Sequence, residues 1–358
     1  RFIRSVTGVR DPPEGSLISF PRAPDFSEVR LRSQNGGRTM NFMSASHGKS
    51  RSVEISSTPS SLESSDLSGD RSAQDRRLTA GGKVLRIVIA VAMMFACALA
   101  PSLLSQIPAI QSFLLAHPHP QGNADDVVMA VFMLLFYGVA TILVLMLCYA
   151  LRRTLDRGRR VSLHLRLDRR ALLWMVGMVL VAIAVNLAVA GIVHALGLAG
   201  GNEGMPNGPW WFIAAAIFSQ GFLLQGIPEE IIWRGWLFSS LGETRFAAVS
   251  SVLVFTVLHL VSQGGQQNLL DHIIYLTIPC GFAVVALIVR MVSGSTWAAI
   301  GVHGGFHVAD DLLTDRLQLP VGSVTWVLQG LIWAAVGLLI LVFHRRRQRL
   351  AALTGQSC

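Results

Sequence analysis

Glu229 and Glu230, with Arg234 four residues after the second, lie in a strongly apolar stretch that follows Pro228. A charged side chain at the centre of a bilayer costs roughly 2.5–3.5 kcal/mol. Such groups are therefore expected where they line a polar cavity, neutralise one another or do chemistry. On a helix, Glu230 and Arg234 share a face and can pair, whereas Glu229 is rotated by about 100° from Glu230 and is free to act as a general base. The alternative is a structural Glu–Arg pair whose charged ends reach the membrane surface.

Two further apolar segments carry histidines at helical spacing. Phe255 and His259 are four residues apart, as are His303 and His307, so each pair shares one helix face. The second pair could bind a metal ion or donate hydrogen bonds to a developing oxyanion. The two glycines between His303 and His307 would let a neighbouring helix or a substrate approach closely. The alternative for both motifs is hydrogen bonding between packed helices.

Taken in order, the motifs Glu-Glu-xxx-Arg, Phe-xxx-His and His-xxx-His resemble those of the CPBP family. This is the CAAX-protease and bacteriocin-processing family of intramembrane proteases, which includes the type II CAAX prenyl endopeptidases. The resemblance covers about residues 170–315. It implies that Glu229 and His259 activate a water molecule and that His303 and His307 stabilise the oxyanion. His307 stands where the family usually has Asn, and histidine can also donate a hydrogen bond.

The resemblance leaves the role of a metal open, because family members have been described both as metalloproteases and as metal-free glutamate enzymes. In the metal version, Glu229, His259 and His303 would hold Zn²⁺ with one position open for water, and Glu230 or His307 would be a further ligand. In the metal-free version no cofactor is needed. Arg234 would orient either Glu230 or a carboxylate of the substrate.

The rest of the chain predicts an all-α, polytopic membrane bundle. Only 14% of the 358 residues are charged, against about 25% in soluble proteins, and the mean hydropathy is +0.51. Apolar runs long enough to cross a hydrocarbon core of about 30 Å predict about eight transmembrane helices. Their approximate bounds are 84–104, 127–151, 171–198, 209–227 (continuing as a helix to about 240), 246–262, 271–292, 296–314 and 322–343.

The net charge of +9 comes largely from arginines that flank apolar spans, in the loop 152–170 and at 345–349. This pattern indicates membrane topology and lipid-headgroup contact rather than nucleic-acid binding. Both clusters should face the cytoplasm, whereas the loops 105–125 and 199–208 contain no Lys or Arg and suit the opposite side. Eight spans then place both termini in the cytoplasm. The bias towards Arg, Ala and Gly favours a bacterial inner membrane.

The chain divides by composition into three parts. Residues 1–82 are rich in Ser, Arg, Gly and Asp and are predicted to be a disordered polar tail. Since the chain begins with Arg1, Met40 and Met43 are candidate starts of the natural protein. Residues 83–344 form the predicted transmembrane domain, and 345–358 form a basic cytoplasmic tail.

These observations predict an intramembrane endopeptidase that acts on a membrane-associated or lipidated peptide or protein. Membrane lipid and a peptide substrate are the expected partners. The alternative is a non-catalytic bacteriocin-immunity or scaffold protein of the same family. A proton-coupled transporter is disfavoured because no internal repeat is visible and the charges within the spans all lie in the second half of the chain.

Overall fold

The computed structural model describes residues 78–117, 124–200, 208–314 and 316–354. Within these ranges the chain forms helices and no strand. We number the helices α1 (Ala80–Leu104), α2 (Pro108–Ala116), α3 (Ala124–Arg153), α4 (Arg169–Ala195), α5 (Trp210–Ser240), α6 (Arg245–Val261), α7 (Leu269–Ser293, interrupted at Leu276), α8 (Thr296–Leu313) and α9 (Ser323–Leu353).

Six of these helices are long and apolar enough to cross a membrane by length and composition: α1, α3, α4, α5, α7 and α9. Helix α6 is a shorter apolar helix, and α8 carries the histidines and aspartates of the third motif. The structure therefore confirms the predicted all-α, polytopic membrane bundle, and each of the eight predicted spans corresponds to a helix. The short helix α2, which begins with Pro108 in its first turn, lies in a segment predicted to be a loop.

The start of the chain differs from two of the sequence predictions. The disordered tail predicted at 1–82 lies largely outside the described residues, and residues 80–82 form the first turn of α1. The prediction that charge within the spans is confined to the second half is wrong, because Arg86 in α1 is only 3% exposed. Its guanidinium bonds to Asp156 Oδ1 at 2.6 Å, and Trp236 Nε1 donates to the other carboxylate oxygen at 2.8 Å. A buried ion pair thus joins α1, the segment after α3, and α5.

Capping side chains explain where several helices begin. Thr79 accepts a hydrogen bond from Gly82 N at the start of α1, and Asp168 accepts one from Ala171 N at the start of α4. Such caps satisfy amide groups that have no partner within the helix. Gly294, in the left-handed region at φ 72°, ends α7, and together with Ser295 it forms the two-residue connection to α8. This turn holds α7 and α8 side by side.

Helix α8 lies at the centre of the bundle, in contact with α4, α5 and α7, and most of its side chains are buried. Two of its glycines face α4. Gly301 lies against the backbone of Met175, and a methyl group at Gly305 would come within 2.8 Å of Val179 Cα. Side chains at these positions would push the helices apart, so the glycines permit the close packing that surrounds α8 with protein.

Helix α5 departs from regular α-helical geometry on both sides of Pro228. Residues Ser219–Gly226 and Ile231–Leu237 form wider turns with i to i+5 hydrogen bonds. The N–H of Ile227, for example, donates to the carbonyl of Phe222. Since proline has no N–H to continue the ladder, a change of register beside Pro228 has a local cause. Wider turns of this kind are frequent at functional sites.

The neighbours of α5 compensate for this irregularity. The carbonyl of Leu223, five residues before Pro228, accepts a hydrogen bond of 2.7 Å from Thr141 Oγ1 on α3. Gly226 faces α8, where an added methyl group would come within 2.9 Å of Gly304 N. The backbones of α5 and α8 therefore cross in close contact about one turn before the two glutamates.

Candidate active site

Glu230 occupies the centre of a buried polar cluster between α5 and α8. Its side chain is 0% exposed, and its Oε1 accepts hydrogen bonds from Arg234 Nη1 at 3.0 Å and from His303 Nδ1 at 2.9 Å. Arg234, also 0% exposed, donates through Nη2 to the carbonyl of Ala283 on α7 at 3.0 Å. The pairing of Glu230 with Arg234 predicted from their four-residue spacing is present in the structure. Buried charges persist when they are paired in this way.

Glu229 has a different environment from its neighbour. Its side chain is 13% exposed, and its Oε2 has no hydrogen-bond partner among the described residues. This oxygen lies 3.9 Å from His303 Nε2. This separation is longer than a hydrogen bond but within the reach of two bonds that share one water molecule. Glu230 Oε2 is likewise without a hydrogen-bond partner among the described residues, but the Glu230 side chain is 0% exposed. Of the two carboxylates, Glu229 is therefore the one that a water molecule from outside the cluster can reach.

His259 ends the regular part of α6, and its ring packs on the ring of Phe255 with a centroid distance of 4.5 Å. The Nδ1–H donates to the Phe255 carbonyl at 2.8 Å, which leaves Nε2 as the unprotonated atom of a neutral ring. Phe255 also contacts His303 at 5.9 Å between ring centroids, and the Arg234 guanidinium lies 4.7 Å above its ring. No hydrogen bond or ion pair among the described residues joins His259 directly to either glutamate.

His303 and His307 stack on one face of α8, with ring centroids 5.2 Å apart. His303 is almost fully buried, and His307 is half-buried. The Cβ of His307 faces Gly221 of α5, where an added methyl group would lie 2.9 Å from it. The close approach of α5 to α8 therefore places the second imidazole beside the same helix that carries the glutamates.

Helices α5, α6 and α8 thus bring the predicted residues to one place. Hydrogen bonds connect Glu230 with Arg234 and His303, Glu229 lies 3.9 Å from His303, and a stacked ring adds His307. His259 joins the group through aromatic contacts. One residue of these aromatic contacts, Phe282 of α7, was not predicted from the sequence. The centroid of its ring lies 4.9 Å from that of His303 and 6.4 Å from that of His259. A phenylalanine in an apolar helix carries no sequence signal for this position.

The side chains proposed to hold a metal do not form a fitting set of ligands. Among the described residues, no group of three or more His, Cys, Asp or Glu side chains is arranged so that it could hold a metal ion. Glu229 and His303 approach as a pair, and the contacts of His259 among the described residues are with the Phe255 carbonyl and the rings of Phe255 and Phe282. A catalytic zinc site requires about three protein ligands that converge on one point. We therefore derive no step through a metal.

The model of the family described as type II CAAX prenyl endopeptidase Rce1-like matches residues 206–309. Residues 206–309 are Rce1-like. The matched segment includes all six predicted site residues, and it confirms the family resemblance expressed by the three motifs. No curated protein and no solved structure matches the chain. The chain is thus an integral, multi-pass membrane protein, and its residues 206–309 are similar to CAAX-type intramembrane proteases.

Proposed function

We propose that this Rce1-like protein is an endopeptidase that hydrolyses a peptide bond of a membrane-associated or lipidated peptide or protein, with Glu229 as the general base. The observation that carries the proposal is the contrast between the two glutamates. Glu230 is 0% exposed and its Oε1 is bound by Arg234 and His303, whereas Glu229 is 13% exposed and its Oε2 faces His303 Nε2 at 3.9 Å.

In the proposed reaction, Glu229 removes a proton from a water molecule held beside it, and the water oxygen attacks the carbonyl carbon of the scissile bond. Following the family resemblance, His259 assists through its unprotonated Nε2, since its Nδ1–H is engaged by the Phe255 carbonyl. The tetrahedral intermediate collapses as its C–N bond breaks. Glu229 then returns the proton to the leaving nitrogen, which releases an amine and a carboxylate.

In this proposal, His303 and His307 stabilise the oxyanion of the tetrahedral intermediate. A neutral His303 donates its only N–H to Glu230, so its Nε2 could donate to the oxyanion only when the ring carries both protons. His307, stacked on His303, is therefore the donor available in the neutral site. An N–H aimed at the developing negative charge lowers the barrier because the charge is greatest in the transition state and the intermediate.

Arg234 has a positioning role in this proposal. Its guanidinium is fully buried, and two of its nitrogens are engaged, by Glu230 and by the Ala283 carbonyl. Of the two roles expected for Arg234, orientation of Glu230 fits this geometry better than contact with a carboxylate of the substrate. Glu230 in turn fixes the ring of His303 through Nδ1, as carboxylates do for catalytic histidines elsewhere.

The membrane topology is part of the proposal. The arginines at the end of α3 and at the end of α9 support a cytoplasmic location for both helix ends. We propose a bacterial inner membrane, with both termini in the cytoplasm and the site open to that side. Residues 83–344 would be the membrane domain, 1–82 a polar tail, and 345–358 a basic tail.

The test is cleavage of a library of membrane-associated and lipidated peptides by the purified full-length protein in lipid nanodiscs. Glu229→Gln keeps the shape of the side chain and should lower the rate by about 10²–10⁴-fold, the contribution typical of a general base. His259→Ala should also abolish cleavage. The matched control is Glu243→Gln, which changes a partly exposed glutamate beyond the end of α5 and should leave the rate unchanged.

Each result has a defined meaning. Cleavage that survives in both Glu229→Gln and His259→Ala would contradict the assignment, provided that the variants insert and unfold as the wild type does. A wild-type protein that cleaves no peptide in the library would favour the immunity or scaffold alternative. Rates should not change on chelation or on added Zn²⁺, and a rate that depends on zinc would contradict the metal-free mechanism.

A further inference from the structure

A basic cavity of about 570 Å³ lies at the end of α3, away from the site described above. It is formed by the last turn of the helix and the segment that follows it. Its lining includes four arginines, one aromatic ring and one carboxylate: Arg152, Arg153, Arg157, Arg159, Tyr149 and Asp156. Such a concentration of guanidinium groups favours an anionic ligand, and planar guanidinium groups match phosphate oxygens well.

The carboxylate in the lining does not neutralise these arginines. Both oxygens of Asp156 are occupied from the other side, Oδ1 by Arg86 and Oδ2 by Trp236. In the part of the chain that the structure describes, no carboxylate forms an ion pair with Arg152, Arg153 or Arg157. The cavity therefore has an excess of positive charge.

The cavity continues into an apolar surface on α3. Tyr149, Met146, Leu145 and Ile142 are spaced at helical intervals along one face and are 58%, 64%, 41% and 59% exposed. Since α3 is long and apolar enough to cross a membrane, this face is turned to the hydrocarbon region and the cavity lies at its boundary. The Arg153 guanidinium lies 4.6 Å over the Tyr149 ring, where charged and apolar surfaces meet.

We propose that this cavity binds the phosphate of an anionic phospholipid, with the acyl chains lying along the exposed face of α3. A free phosphate ion would match the arginines but would make no use of the adjoining apolar face. A zwitterionic phospholipid would use the apolar face but would bring a cation among the arginines. An anionic phospholipid fits both surfaces.

The same contacts link the bound lipid to the catalytic helix. Asp156 lies between the cavity and Trp236, which is two residues beyond Arg234 on α5. A ligand that binds the folded protein and not the unfolded chain raises its stability. Lipid binding is therefore measurable as a rise in Tm, independently of any peptidase activity.

The experiment measures Tm of the full-length protein in a neutral detergent with three additives: short-chain phosphatidylglycerol, phosphatidylcholine of the same chain length, and inorganic phosphate. At about a hundredfold excess over the dissociation constant, phosphatidylglycerol should raise Tm by about 5–10 °C, and the other two should not. The variant with Arg152→Gln, Arg153→Gln and Arg157→Gln should lose most of this rise. The control with Arg345→Gln, Arg346→Gln and Arg347→Gln removes the same charge from exposed arginines of α9 and should keep it.

Several results would overturn the proposal. An unchanged rise in the first triple variant would exclude the cavity, and an equal loss in both triple variants would indicate general charge attraction. A rise of the same size with inorganic phosphate would show an anion site with no requirement for lipid. If the triple variant does not fold, Arg157→Gln alone, at an exposed position, should reduce the rise by about half. A full rise in that single variant would also refute the proposal.

Discussion

Replacement of Arg234 by methionine tests the buried charge cluster most directly. The substitution keeps an apolar stem of similar length and removes the cation that pairs with Glu230 at 3.0 Å. Both side chains are 0% exposed, so water cannot replace the lost partner. Removal of one member of a buried ion pair costs about 3–5 kcal/mol, because the other charge is left without compensation.

This cost converts to a large change in Tm. In a domain of this size, 1 kcal/mol lowers Tm by about 2–4 °C, so Arg234→Met should lower it by about 6–20 °C. The unfolding of detergent-solubilised protein can be followed with a thiol-reactive dye, since Cys97 and Cys148 are buried and become reactive on unfolding. The double variant Glu230→Gln, Arg234→Met removes both charges and should recover at least half of the loss.

A matched control is Arg290→Met. Arg290 pairs with Glu243 at 2.9 Å, but the Glu243 side chain is 43% exposed and remains hydrated when its partner is lost. This substitution should cost about 1 kcal/mol or less. The reasoning is refuted if Arg234→Met lowers Tm by less than about 4 °C, which corresponds to about 1–2 kcal/mol, or if the double variant is no more stable than the single one.

Two further pairs of substitutions test the packing around the site. Trp236→Phe removes the indole donor to Asp156 and should lower the free energy of unfolding by about 1.5–3 kcal/mol more than Trp233→Phe does. Both rings are 0% exposed, but the Trp233 indole N–H has no hydrogen-bond partner among the described residues. The same dye assay measures both, and equal costs would contradict the importance of the Asp156 bond. Gly226→Ala forces a methyl group against the backbone of α8 and should cost about 1–3 kcal/mol, whereas Gly138→Ala, with open space around it, should be neutral or stabilising by up to about 1 kcal/mol. A tolerated Gly226→Ala would show that α5 and α8 can separate freely.

Local features of the sequence were sufficient to predict the helices and one contact of the site. The length of the apolar runs predicts the membrane bundle, and the four-residue spacing predicts the pairing of Glu230 with Arg234. The bond from His303 to Glu230 could not be predicted in the same way, because these residues are 73 positions apart and meet only through the packing of α8 on α5. That contact holds Glu230 Oε1 between α5 and α8.

The other features that the sequence could not predict depend on contacts between distant parts of the chain. The sequence shows that Pro228 removes a backbone donor, but it does not show that Thr141 of another helix supplies a hydrogen bond to the Leu223 carbonyl. Arg86 and Asp156 have no sequence spacing that relates them, so their buried pair is visible only in three dimensions. The contacts of the Phe255 and Phe282 rings with both His259 and His303 are likewise a result of packing.

Helix α8 also has a consequence for the assembly of the protein during synthesis. It carries two histidines and two aspartates within 18 residues and is not among the helices apolar enough to cross a membrane by their own composition. Its packing partners α4, α5 and α7 all precede it in the chain. The ribosome therefore releases these three helices first, and the histidine helix can enter the bilayer against the protein surface that carries Glu230, the partner of His303. Asp310 gains its bond from Gln329 only when α9 follows.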